Sequence, residues 1–262
     1  MRFLILAHQG DATATQVAAR LSQRHRPEDT RLVSMEEIVF APRWSHTLNG
    51  AKAKAALTLH DGTEIRNDQI GVVFNRLQYL DMPHFATSDK ADREYAVMEM
   101  FALFLSWLKA VPCPIINPIS SQNLAGPIHS SLAWQQLAGK AGLPTVRMRL
   151  TSSLRRYSVA GLIPYPVGPG GIGNVPACLT EAAGDQSARA FVAGHEVLGD
   201  VPAELVPGCA NLASLSGYDL LLIHFASLQN DRGWRFNGID PYPAVTEPAA
   251  IDAIVRLLEA RS

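Results

Sequence analysis

Several stretches of this 262-residue chain carry residue types suited to chemistry. "WRFNGIDPYPAV", Trp234 to Val245, runs a short strand into Asp240 and then into a Pro-Tyr-Pro turn. A carboxylate at a strand end can serve a metal ion or a substrate, and it can equally cap its own turn. "GPGGIG", Gly168 to Gly173, offers the backbone N–H groups of Gly170 and Gly171 to a phosphate. It lacks the Gly-Lys-Ser/Thr ending of a P-loop, so a plain flexible loop is the competing reading. Arg155 and Arg156 are adjacent cations able to grip phosphate in bidentate fashion, or to lie on a solvated edge. "VVFNR" ends in Arg76 and "CPIIN" in Asn117, and ligands of open parallel sheets bind beyond the carboxyl ends of the strands. His8 and Gln9 follow the first apolar run at the same kind of position.

Other chemistries find no support. The eight histidines and three cysteines show no His-x-x-x-His or Cys-x-x-Cys spacing, and no Gly-x-Ser-x-Gly elbow occurs. Cys113, Cys178 and Cys209 are widely spaced and odd in number, which reads as reduced structural thiols. A net charge of −1 gives no basic field for nucleic acid. No apolar run reaches the length of a membrane span, and "RFLILA" is too short for a signal-peptide core, so a cytoplasmic protein is expected.

The elements that must position these residues follow from periodicity. "RFLILA" and "IGVVFNR" are continuous apolar runs, as buried parallel strands require. "ATATQVAARLSQR" after "HQGD" is a helix that Asp11 or Thr13 can cap. Asn49-Gly50 and Asp61-Gly62 mark hairpin turns. The stretch from Asp89 to Ala110 is a helix with Tyr95, Met98, Phe101, Ala102, Leu105 and Leu108 on one face, expected to be core. "SSLAWQQLAGKAG" is a helix closed by Gly142. Beyond a Gly- and Pro-rich stretch, "ARAFVAGHEVLGD" is a hairpin turning at Gly194, and "GYDLLLIHFA" and "GWRFNGID" are strands before a terminal helix. The expected fold is an α/β amino-terminal domain (1–118, open and mostly parallel sheet) and an α+β carboxy-terminal part (119–262, antiparallel strands), with a lid or linker at about 151–190.

This order resembles the ATP-grasp superfamily, in its glutamate-ligase-like branch. The matching pieces are "VVFNR", the acid-bearing long helix around Glu94 and Glu99, Asn117-Pro118, Gly142-Leu143-Pro144-Thr145-Val146, "FVAGHEVLGD" and "WRFNGIDPYP". The resemblance implies a strand carrying a metal-binding acid, here Asp219, with Asp240 at the last strand. It also implies phosphate-gripping lysines, yet none of the five lysines lies beyond Lys140. His129 stands near the first expected one, and Arg155 and Arg156 are the substitutes on offer. Gly238 and Asp240 align with the family's Glu and Asn, so one carboxylate is missing, and the middle lobe reads as shortened.

Three functions are therefore expected to compete. The first is a degenerate ATP-grasp-like protein that binds a ligand, a peptide or a partner enzyme in a biosynthetic pathway. The second is a diverged carboxylate–amine ligase using ATP and Mg²⁺ through an acyl phosphate. The third is a small-metabolite-binding α/β protein. A folded middle segment favours the first two, and a bare linker the third.

Overall fold

The run Phe3–Ala7, buried at every residue, forms β1 of a parallel sheet. The computed structural model describes residues 1–50, 52–120, 123–124, 126–127, 129–151, 162–164, 177–181, 183–228 and 231–262. They fall into two units, Met1–Ile128 with Tyr218–Leu220 and Pro241–Ser262, and His129–Gly217 with Leu221–Asp240. The carboxy-terminal stretch from Pro241, assigned by the sequence reading to the second part, thus belongs to the first unit.

In the first unit, α1 (Ala12–Arg24) starts at Asp11, whose Oδ1 accepts the Ala14 N–H at 2.8 Å. Capping of this kind satisfies one of the orphan donors of a helix start. Then come β2 (Thr30–Ser34), and α2 (Met35–Val39) with a Ser34/Glu37 capping box. An antiparallel sheet follows, of β3 (Arg43–Asn49), β4 (Lys52–Thr58) and β5 (Glu64–Arg66). Gly50 and Gly62, at the two predicted turns, both have positive φ, which glycine adopts freely. Next are β6 (Val72–Arg76), α3 (Lys90–Lys109) and the two-residue β7 (Ile115–Ile116). The parallel sheet has the order β2-β1-β6-β7.

The helix α3 departs from the expected core face. Phe104, Leu105, Trp107 and Leu108 are buried, whereas Tyr95 is 65% and Met98 66% exposed. Burial follows contact with the β3–β5 sheet, where Trp44 meets Phe104 and Trp107 edge-on, and that contact involves the carboxy-terminal half of α3. An apolar stripe identifies a face but not the length along which a partner covers it.

In the second unit, α4 (Ser131–Lys140) is capped by Ser130 and ends before Gly142, which has the left-handed conformation expected of it (φ +87°). The middle segment contributes β8 (Met148–Thr151), β9 (Leu162–Pro164) and β10 (Ala177–Glu181), an antiparallel sheet of order β8-β10-β9. The described residues of this segment thus form a three-stranded sheet. The predicted hairpin is β11 (Ala183–Ala193) and β12 (Glu196–Leu198). It is followed by α5 (Val206–Ser216), a helix that the sequence reading does not include. Then β13 (Leu220–Leu228) and β14 (Asp231–Asp240) complete a sheet of order β12-β11-β13-β14. The second half is antiparallel, as expected.

Finally α6 (Pro248–Arg261) packs in the first unit against α1, with Arg24 to Asp252 at 2.9 Å and His25 to Glu259 at 2.9 Å. Among the described residues no helix is long and apolar enough to cross a membrane.

Asn67 links three parts of the first unit. Its Oδ1 accepts the Ala55 N–H at 3.0 Å, and its Nδ2 donates to Ala53 O at 3.0 Å and to Ala110 O at 2.6 Å. Substituting Asn67→Ala strands buried backbone groups, so a loss of about 2–4 kcal/mol is expected in urea unfolding, against under about 0.5 kcal/mol for a surface change such as Asp92→Ala.

Candidate functional site

Residues from several elements meet at the carboxyl edge of the parallel sheet in the first unit. Arg76 closes β6 and is 6% exposed. Its Nε donates to Asp11 Oδ2 at 2.9 Å and its Nη1 to Pro243 O at 3.0 Å. Asp11 thus caps α1 with one oxygen and binds Arg76 with the other. Asn117, fully buried after β7, donates to Pro241 O at 2.9 Å and accepts the Leu220 N–H at 3.2 Å. The Tyr242 hydroxyl donates to Leu124 O at 3.1 Å, and burial pushes its pKa well up. The Thr13 hydroxyl donates to Val245 O at 2.8 Å and accepts the Val245 N–H at 2.9 Å. The Pro-Tyr-Pro stretch after Asp240 is thus an anchored structural segment, and Arg76 and Asn117 converge on it.

His8 lies beside this edge. Its Nε2 accepts the Gln78 N–H at 3.2 Å, which makes it a neutral ring with the proton on Nδ1. Burial lowers its pKa, partly offset by Glu36 and Asp11, and its ring lies 4.3 Å from that of Tyr79.

A second group sits on the β11-β13-β14 sheet of the second unit. Asp240 ends β14 opposite Leu222, and His224 stands opposite Gly238. Residues two apart share a face of a strand, so His224 and Asp240 are on one side of the sheet. A Cβ placed on Gly238, between them, would meet nothing within 4 Å. Burial lowers the His224 pKa, Arg189 on β11 lowers it further, and Asp240 raises it, so the three groups lie within electrostatic reach. The sequence reading missed Arg189 and His224: each sits in an apolar strand run, and only the β13–β14 register brings His224 beside Asp240.

The other candidate residues are placed as follows. Asp219 is in the first unit, half-buried, and accepts from Arg261 Nη2 at 2.9 Å. His129 meets Trp134 edge-on at 4.9 Å. Arg155, Arg156, Gly170 and Gly171 lie outside the described residues. Among the described residues no three His, Cys, Asp or Glu side chains gather as a metal-binding group. One carboxylate beside an open glycine position can hold a single hard divalent ion whose remaining oxygen ligands come from phosphate or water. It does not furnish a two-ion carboxylate clamp.

No protein-family model matches the chain, and no curated protein matches it. Solved structures do. A RiPP-associated ATP-grasp ligase from Chryseobacterium gregarium, in complex with ADP and a leader and core peptide, superposes with a TM-score of 0.79 at 14% identity, covering 100% of this chain and 98% of that one. The macrocyclase MdnC from Microcystis aeruginosa MRC, bound with precursor peptide MdnA, gives 0.76 at 13% identity over 99% and 100% of the two chains. The ATP-grasp ligase PsnB, complexed with a precursor variant, Mg and ADP, gives 0.74 at 17% identity over 100% and 98%. The chain has the ATP-grasp fold. These superpositions do not confirm the expected shortening of the middle lobe.

The Asp11–Arg76 pair is mostly buried, and breaking such a pair leaves an uncompensated charge. Arg76→Met is expected to cost about 3–5 kcal/mol. The double variant with Asp11→Ala should cost less than the sum of the singles, by at least about 1 kcal/mol, in a urea double-mutant cycle.

Proposed function

We propose that the protein is an ATP-dependent carboxylate–amine ligase acting on a peptide. The observation that carries this reading is the full-length superposition on a peptide-bound, ADP-bound ATP-grasp ligase. Folded strands in the middle segment support it as well. The reading of a scaffold without ATP chemistry rested on a shortened lobe and missing lysines. The first is unsupported, and arginines can stand in for the second.

In the proposed reaction a peptide carboxylate oxygen attacks the γ-phosphorus of ATP and ADP leaves. The amine nitrogen then attacks the acyl phosphate carbon, phosphate departs with the C–O electron pair, and the amine loses a proton. Arg189, with Arg155 and Arg156, would neutralise phosphate charge. Asp240 would hold the divalent ion together with oxygens of phosphate and water, and the ion when bound would neutralise charge on the phosphates. Asp219, ion-paired with Arg261, is left out of the proposed site. Arg76 and Asn117 act as positioning residues through the 241–245 segment.

The test is hydroxylamine trapping with the full chain, ATP, Mg²⁺ and synthetic peptides bearing Asp and Glu side chains. Peptide hydroxamate and ADP should form in equal amounts, and Asp240→Ala should slow this by on the order of 10²–10³. Binding of ADP and peptide without hydroxamate would instead establish the non-catalytic scaffold.

A further inference from the structure

The loop that follows β6 is fixed at its ends and tied in its middle by different means. Leu77 and Met82 are buried among the core residues and anchor the two ends. Between them Gln78 and Tyr79 are exposed, and both meet His8, the residue after β1. The Gln78 N–H donates to His8 Nε2 at 3.2 Å, and the His8 ring lies 4.3 Å from the Tyr79 ring. Further along, the Asp81 N–H donates to the Met35 sulfur at 3.1 Å, and a thioether is a weak acceptor.

An imidazole accepts a hydrogen bond only while it is neutral. With one proton already on Nδ1, the next must enter at Nε2, the atom to which the Gln78 N–H donates. Imidazolium has two N–H donors and no acceptor, so protonation of His8 and the Gln78 bond exclude each other. The charges around the ring act in opposite directions. Glu36 on α2 and Asp11 at the start of α1 favour imidazolium, and Arg76 at the end of β6 disfavours it. Tyr79 is neutral in this range. Burial outweighs the two acids and holds the His8 pKa below the ordinary value, so the neutral ring and its bond prevail near neutrality. One oxygen of Glu36, Oε2, is buried with no hydrogen-bond partner, so a positive charge on His8 would supply compensation that this carboxylate lacks.

We propose that His8 is a proton-operated latch on the stretch Gln78–Asp81, closed by the Gln78 N–H bond while the ring is neutral and released when Nε2 takes a proton. The sign follows from linkage. A histidine with a folded pKa below its unfolded one opposes the folded arrangement in acid, so the closed loop loses stability as the pH falls below about 6.5. The released stretch begins two residues after Arg76, at the carboxyl edge of the parallel sheet. The latch is independent of the ligase reading and stands or falls separately from it.

The experiment is an NMR pH titration of the full chain from about pH 7.5 to about 4.5, following the His8 ring nitrogens and the Gln78 amide. The two should move with one midpoint, below the ordinary histidine value. Across that midpoint the Gln78 amide should lose about tenfold in protection from hydrogen exchange, measured against an unstructured amide at the same pH. Glu36→Gln should lower the shared midpoint. His8→Gln, which can accept a hydrogen bond but does not titrate, should abolish the Gln78 response. A Gln78 amide that stays unmoved while His8 titrates, or one that responds equally in His8→Gln, would overturn the proposal. So would buried strand amides such as that of Ile5 moving at the same pH, because the event would then be general acid unfolding.

Discussion

The grip on residues 241–245 is the constraint on which the rest of the first unit depends. Four side chains converge there from different elements: Thr13 from α1, Arg76 from β6, Asn117 from the end of β7, and Tyr242 from the segment itself. Three of the segment's carbonyls, those of Pro241, Pro243 and Val245, are thereby satisfied. In a buried location each of these groups would cost free energy if left alone, so their partners must be supplied together. The segment leads directly into α6, whose acids meet Arg20 and Arg24 of α1 and His25 at its carboxyl end. Loss of the grip would therefore release the last helix as well as a turn.

The same arrangement commits several strand-end charges to structural contacts. Arg76 is the cation at the strand end where ligand binding is most expected, yet Asp11 and Pro243 take two of its donors. Asp219 is likewise joined to Arg261. His224 and Asp240 of the second unit share a sheet face beside a glycine position that leaves room, with Arg189 in electrostatic reach of His224. A carboxylate with a guanidinium in reach suits a site that receives one ion and phosphate.

Much of the fold could be read from the chain. Continuous apolar runs gave β1 and β6, glycine after asparagine or aspartate gave the hairpins, and Gly142 ended α4, because these signals are local. The order of the motifs pointed to the ATP-grasp fold when each motif by itself was weak. The helix α5 escaped notice, although Pro207 near its start and Gly217 at its end (φ +73°) are ordinary boundary residues. The exposed half of α3 was misread because amphipathic spacing does not report how far a covering sheet extends. The site was least legible. Asp219 looks like a free acid until Arg261, 42 residues away, is placed beside it. His224 looks like a stray polar residue in "LLLIHFA" until the β13–β14 register puts it across from Gly238.

The most direct test of this account is a thermal-shift titration with ATP and Mg²⁺ on the wild type, Asp240→Ala and Asp219→Ala. At a hundred times Kd the nucleotide should stabilise the wild type by about 2.7 kcal/mol, roughly 5–10 °C for a chain of this size. The shift should persist in Asp219→Ala and vanish in Asp240→Ala. A shift lost in Asp219→Ala and kept in Asp240→Ala would contradict the assignment of the ion-binding acid. No shift in the wild type would contradict the nucleotide-dependent ligase itself.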